Sequence, residues 1–208
     1  MRRLTVGITG ATGAIFGVRL VEALHDTVVE THLVMSDWGR RTIEHETSYS
    51  VAEVEKMAAV VHDYRDQGAT ISSGSFRTEG MVVAPCSMKT LAAIAAGLAE
   101  NLVQRAADVV LKEQRKLVLM VREMPLSPIH LENMLKLARL GVVVLPPMPA
   151  FYNKPQSLGD MVDHVVARVL DQFDIPAAFA KRWDGVVERH GEQPETEGRQ
   201  GFRIAASR

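Results

Sequence analysis

An arginine and a glutamate, Arg122-Glu123, follow directly on the apolar run Leu117-Val118-Leu119-Met120-Val121. Opposite charges at the carboxyl tip of a buried strand sit where open α/β sheets bind their ligands. Other apolar runs end in the same way. One closes in Thr9-Gly10-Ala11-Thr12-Gly13-Ala14, a tight glycine turn opening a helix whose N–H groups can hold a phosphate. A second closes in Ser36-Asp37, and a third in Pro85-Cys86-Ser87-Met88-Lys89-Thr90, a helix start with hydroxyls and a cation. The last closes in Pro147-Met148-Pro149-Ala150-Phe151-Tyr152-Asn153. Two phosphate-friendly helix starts suggest a phosphorylated cofactor and a second phosphorylated ligand.

Each of these residues also has a plainer reading. Glycine turns let a helix pack closely on a strand, and Ser36 suits an N-cap. Cys86 has no histidine or other base near it in sequence and reads as a small packing residue rather than a nucleophile. Arg168 shares a helical face with Asp160, His164 and Asp171, which makes it a solvated surface residue. Asp160, Asp163 and His164 read as helical charge pairing, and no metal-ligand cluster is evident. Tyr152 can simply pack after its proline-rich turn. Trp38 and Trp183 read as core or interface. Gly7, Gly10, Gly13 and Gly17 have the look of a dinucleotide fingerprint, as in short-chain reductases. Those enzymes need a tyrosine four residues before a lysine, which Tyr49, Tyr64 and Tyr152 all lack.

The elements that would position these groups alternate in type. Strands are expected over Leu4–Thr9, Val29–Met35, Met81–Ala84, Leu117–Val121 and Val142–Leu145. Helices are expected over Ile15–Leu24, Trp38–Glu46, Val51–Val61, Ser87–Leu98, Val103–Glu113, from Ile129 onward, and Gly159–Phe173. The polar Asp63–Thr78 stretch is expected to be mostly loop. Such alternation predicts an α/β fold: a three-layer α/β/α Rossmann-like (flavodoxin-like) sandwich with a mainly parallel sheet, its ligands at the carboxyl ends of the strands. A single domain is expected over residues 1–185, with a disordered tail over 186–208, where Gly, Glu, Gln and Arg dominate.

The 208-residue chain is 47% apolar and 24% charged with a formal net charge of −1, which gives no electrostatic case for nucleic acid or an anionic membrane. No apolar run approaches the roughly 20 residues of a bilayer span. Its one cysteine excludes an internal disulfide. A start that runs straight into a strand leaves no room for a signal peptide, and the expected compartment is the cytoplasm.

Taken together, six segments resemble the UbiX-like flavin prenyltransferases, in particular the small proteins that accompany bacterial phenolic acid (4-hydroxybenzoate/vanillate) decarboxylases. They are Ile8–Ala14, Ala84–Leu91, Arg105-Ala106-Ala107-Asp108-Val109, Arg122-Glu123, Ile129–Met134 and Phe151-Tyr152-Asn153, and the likeness runs from about Leu4 to Trp183. The resemblance implies reduced FMN as prenyl acceptor and dimethylallyl phosphate as donor, the product being prenylated FMN for a separate decarboxylase. By position it implies FMN contacts from Gly10, Ala11, Thr12, Ser36, Ser87, Met88, Lys89, Thr90 and Arg122. It implies a prenyl-phosphate site of Lys112, Arg122, Tyr152 and Arg168, with Arg105 nearby, and active-site groups Glu123, Glu46 and Thr12. It also implies a homododecamer whose sites form between subunits. Thr12 stands where many relatives carry serine, Val121 where many carry proline, and the Gln67–Ser75 loop lacks a tryptophan found in some. Two other readings stay open: an FMN-dependent decarboxylase acting directly, and a non-catalytic FMN-binding decarboxylase subunit.

Overall fold

The computed structural model describes residues 2–183 and 185; the tail expected over 186–208 lies outside them. The described residues form one six-stranded sheet, ordered β3-β2-β1-β4-β5-β6, with every pairing parallel. Its strands are β1 (Arg2–Ile8), β2 (Val29–Met35), β3 (Val60–His62), β4 (Gly80–Cys86), β5 (Lys116–Val121) and β6 (Val143–Val144). The helices are α1 (Ala14–His25), α2 (Asp37–Glu46), α3 (Val51–Met57), α4 (Met88–Ala96), α5 (Leu102–Lys112), α6 (Pro128–Arg139) and α7 (Leu158–Asp171).

Side chains of the central strands alternate between two cores, as period-two geometry requires of a sheet covered on both faces. Leu4, Val6 and Ile8 of β1, Val82 of β4 and Val118 and Met120 of β5 meet the helices on one side, with Val165, Val166 and Val169 of α7. Met81 and Val83 of β4 and Leu117 and Leu119 of β5 face the other way, against Leu91 of α4 and Leu102 and Val103 of α5.

The expected strands and helices are present, with one correction. The helix expected over Val51–Val61 stops at Met57, and Val60–His62 forms an extra edge strand beside β2. The apolar spacing reads through that boundary. What ends the helix is tertiary: the open edge of β2 at His32–Val34 offers backbone partners that an isolated helix end does not have. The Asp63–Thr78 stretch is loop apart from a 3₁₀ turn at Thr70–Ser72.

The direction in which strands are added reverses between β1 and β4, since β1 leads outward to β2 on one side and β4 to β5 on the other. In a doubly wound sheet that switch point leaves a crevice at the carboxyl ends of the strands. The Gly10–Gly13 turn and the Ser87 helix start flank it.

Candidate active site at the carboxyl edge of the sheet

Three polar turns converge on this edge because the tips of β1, β2 and β4 are adjacent. Ser36 caps α2, its Oγ accepting from the Gly39 N–H at 3.0 Å, and its own N–H donates to the Ile8 carbonyl at 3.0 Å. Ser87 caps α4, its Oγ accepting from the Thr90 N–H at 3.3 Å and donating to Thr90 Oγ1 at 3.1 Å. That arrangement uses the Thr90 N–H but leaves those of Met88 and Lys89 without a hydrogen-bond partner among the described residues. With the exposed Lys89 ammonium they make the start of α4 fit for a phosphate. Gly10 is exposed, and its backbone lies so close to Trp38 that a side chain there would collide with it. Gly10 is thus what lets the Gly10–Thr12 strip of main chain lie against α2.

The start of α1 corrects one expectation. The N–H groups of Gly13 and Ala14, read from sequence as a phosphate cradle, donate instead to Glu46 Oε2 at 2.7 and 3.1 Å. Glu46 closes α2 thirty-odd residues away in sequence, so only the fold reveals that a carboxylate already neutralises this helix start. Burial works to raise the Glu46 pKa. The Thr12 hydroxyl, the two backbone N–H groups and the Arg122 charge outweigh it, and the group is held below the usual carboxylate value. Glu46, Thr12 and Arg122 therefore share one electrostatic neighbourhood. Arg122 also faces Glu123 at 3.8 Å, and its N–H donates to the Cys86 carbonyl at 3.4 Å, which ties the tip of β5 to that of β4.

Among the described residues no ion pair joins the remaining cations, Arg105, Lys112 and Arg168, to the groups of this edge. Tyr152 and Arg168 line a hollow on the outer side of α7 together with His164 and Trp183. There the Tyr152 ring meets Trp183 edge-on at 5.5 Å and His164 at 5.6 Å, and Arg168 donates to Asp171 at 2.8 Å. Lys112 ends α5 and pairs with Glu113, just ahead of β5. It lies toward the opposite edge of the sheet from Arg122, across a six-residue strand that spans roughly 20 Å. Arg105, on α5, donates to Asp108 at 2.7 Å and to the Ser72 carbonyl at 3.1 Å.

Cys86 is fully buried and its thiol is pushed up to about 12 by burial, so it packs and carries no thiolate. The charge pairing expected of Asp160 and Asp163 along α7 is corrected: Asp163 pairs with Arg19 of α1 at 2.7 Å, and Asp160 accepts from the Gln156 N–H at 2.7 Å and the Ser157 hydroxyl at 2.9 Å at the helix start. The two tryptophans, by contrast, are exposed, Trp38 by 67% and Trp183 by 57%, so neither is a core residue. Trp183 joins the Tyr152–Arg168 hollow, a placement for which the sequence carried no periodic signal because it follows an irregular segment.

Residues 1–170 match the family model described as Flavoprotein. The chain is 69% identical over 185 residues to the probable UbiX-like flavin prenyltransferase of Streptomyces sp. (strain D7), covering 88% of this chain and 92% of that one. Its structure matches the dodecameric FMN-dependent UbiX-like decarboxylase of Escherichia coli O157:H7 with a TM-score of 0.87 at 64% identity, over 88% of this chain and 100% of the other. It also matches AnUbiX (PadA1), solved in complex with FMN and dimethylallyl pyrophosphate, with a TM-score of 0.88 at 52% identity over 89% and 99% of the two chains. With this likeness spanning the sheet, both turns and the α7 hollow, the chain belongs to the flavoprotein family and, within it, to the UbiX-like flavin prenyltransferases.

Proposed function

We propose that this protein transfers a dimethylallyl group from dimethylallyl phosphate to reduced FMN, making prenylated FMN for a separate phenolic acid decarboxylase in the cytoplasm. Reduced FMN supplies the nucleophilic N5 and C6 that take up the five-carbon unit. Gly10, Ala11 and Thr12 bear on the flavin through exposed main chain, while Ser36 and the Ser87–Thr90 helix start take its ribityl phosphate. The observation that carries the reading is the likeness to flavin prenyltransferases over 88% of the chain, AnUbiX with its FMN and dimethylallyl pyrophosphate among the structural matches; Arg105, Lys112, Arg122 and Arg168, each ion-paired in a single protomer, supply the second phosphate site. A direct decarboxylase or a passive FMN carrier has no use for a second phosphate site.

Loss of phosphate from an allylic carbon leaves positive charge on carbon and negative charge on the departing oxygen. Arg122, Lys112 and Arg168, with the Tyr152 hydroxyl, stabilise the latter. Glu46, kept ionised by the α1 start, faces the former. Glu123 accepts and returns the proton that the second bond-forming step displaces. Because Arg122, the Tyr152–Arg168 hollow and Lys112 stand on different parts of one protomer, we infer that they meet in an assembly like the dodecamer of the Escherichia coli relative, with neighbouring subunits completing each site.

Purified protein incubated anaerobically with reduced FMN and dimethylallyl phosphate is expected to yield a flavin heavier by one C5H8 unit by mass spectrometry. Unchanged flavin, under conditions where the Streptomyces relative reacts, refutes the assignment.

A further inference from the structure

The hydroxyl of Thr9 joins the two turns that flank the crevice. Thr9 is the first residue beyond β1, 3% exposed, and opens the glycine turn. Its Oγ1 donates to the Pro85 carbonyl at 2.7 Å and accepts from the Ser87 N–H at 2.9 Å, while its own N–H points at the same carbonyl at 3.3 Å. The Ser87 N–H would otherwise be an unpaired donor at a helix start. On either side the bridging continues, from the Ser36 N–H to the Ile8 carbonyl and from the Arg122 N–H to the Cys86 carbonyl. The tips of β2, β1, β4 and β5 are thus laced by a row of bonds in which the side chain is that of Thr9.

We infer that Thr9 is a positioning residue of the flavin site, setting the distance between the Gly10–Thr12 strip and the start of α4 through the paired bonds of its hydroxyl. The inference rests on the FMN reading above. A planar ring and a phosphate on one rigid ligand contact both turns, so the ligand senses the spacing between them. The donor phosphate, held by Arg122, Lys112, Tyr152 and Arg168, does not. Removing the hydroxyl leaves the Pro85 carbonyl with one marginal donor and the Ser87 N–H with none, and the two turns lose their common anchor. A merely structural threonine would change the melting temperature alone. A positioning one changes FMN affinity in the folded protein.

The test is a fluorescence titration of FMN into the wild-type protein, Thr9→Val and Thr9→Ser, with steady-state kinetics at saturating reduced FMN. Thr9→Val, which keeps the shape and removes both bonds, is expected to raise the Kd for FMN about tenfold or more and to leave the KM for dimethylallyl phosphate within about twofold. Thr9→Ser, which keeps the hydroxyl, is expected to hold FMN within about twofold of wild type. Wild-type affinity in a folded Thr9→Val protein overturns the inference. So does a loss of about tenfold in Thr9→Ser, which would place the effect in the methyl group, and this arm decides the matter even where Thr9→Val does not fold. Wild-type protein that takes up no FMN would instead overturn the flavin reading, and this inference with it.

Discussion

At the scale of single residues, the two carboxylates of the site differ in what holds them. Glu46 is pinned by the Gly13 and Ala14 N–H groups and by Thr12, whereas Glu123 has only Arg122 and the Met124 N–H close by among the described residues, the latter at 3.2 Å. A tethered carboxylate suits a fixed counter-charge and a loosely held one suits proton movement. Glu123→Gln is therefore expected to bind FMN like wild type and to lose turnover by about 10²-fold or more, the usual range for removing an acid–base group, as read by the rate of flavin mass gain. Glu46→Gln is expected to cost roughly 0.5–1 kcal/mol of stability near neutral pH, a figure kept small because the group is largely solvent-exposed. Its pKa is depressed in the fold, so the stabilisation is complete above the unfolded carboxylate value of about 4.3 and fades as pH falls through the lower folded value. Thermal melts of both proteins should accordingly converge at acid pH, and a gap that persists there would dismiss the ionised tether. The sequence exposed Glu46 through resemblance to relatives, yet its partner remained hidden, because a contact between the end of α2 and the start of α1 has no local signature.

Among the elements, two helix starts were readable: Ser36 as an N-cap and Ser87 as a helix opening, and each accepts from the N–H three residues on. Ser127 and Ser157 cap α6 and α7 in the same way, two starts that only the fold reveals. Ser87→Ala is expected to cost about 1 kcal/mol by denaturant unfolding and to weaken FMN as well, since the same turn offers its free N–H groups to the phosphate. The edge strand β3 was illegible for a physical reason: three residues carry too little periodicity to separate a strand from the last turn of a helix. It brings His62 beside His32, ring nitrogens 2.9 Å apart, with Glu30 on the far side of His32 at 2.8 Å. Burial lowers the His62 pKa and His32 adds to the effect, with Asp66 opposing. The unfolded chain thus takes up a proton near pH 6.5 that the folded chain refuses, and stability falls as pH drops below that value. His62→Gln should flatten the decline between about pH 6.5 and 5 in thermal melts, whereas an unchanged slope would assign it to other groups.

For the molecule as a whole, the mainly parallel sheet was legible from alternating patterns, because buried strands and amphipathic helices leave strong periodic traces, whereas the strand order and its switch point come from the fold. How the cations combine was not legible either. Arg168 read as an ordinary helical surface residue, Lys112 entered only through the resemblance, and in one protomer both are paired, with Asp171 and Glu113. On the shared-site reading, Lys112→Ala and Glu123→Gln should each be nearly inactive alone. When the two are co-assembled, sites combining an intact Lys112 from one subunit with an intact Glu123 from its neighbour should recover a measurable fraction of turnover. Mixed assemblies as inactive as their parents would confine the chemistry to single chains. The separation of these charges carries a further consequence for a reactive allylic ester. On that reading a newly made, solitary chain offers it no complete nest of positive charge, so ionisation would wait until subunits have come together around a flavin, and spilling of the donor to water as a free alcohol would be suppressed while the protein is still being built.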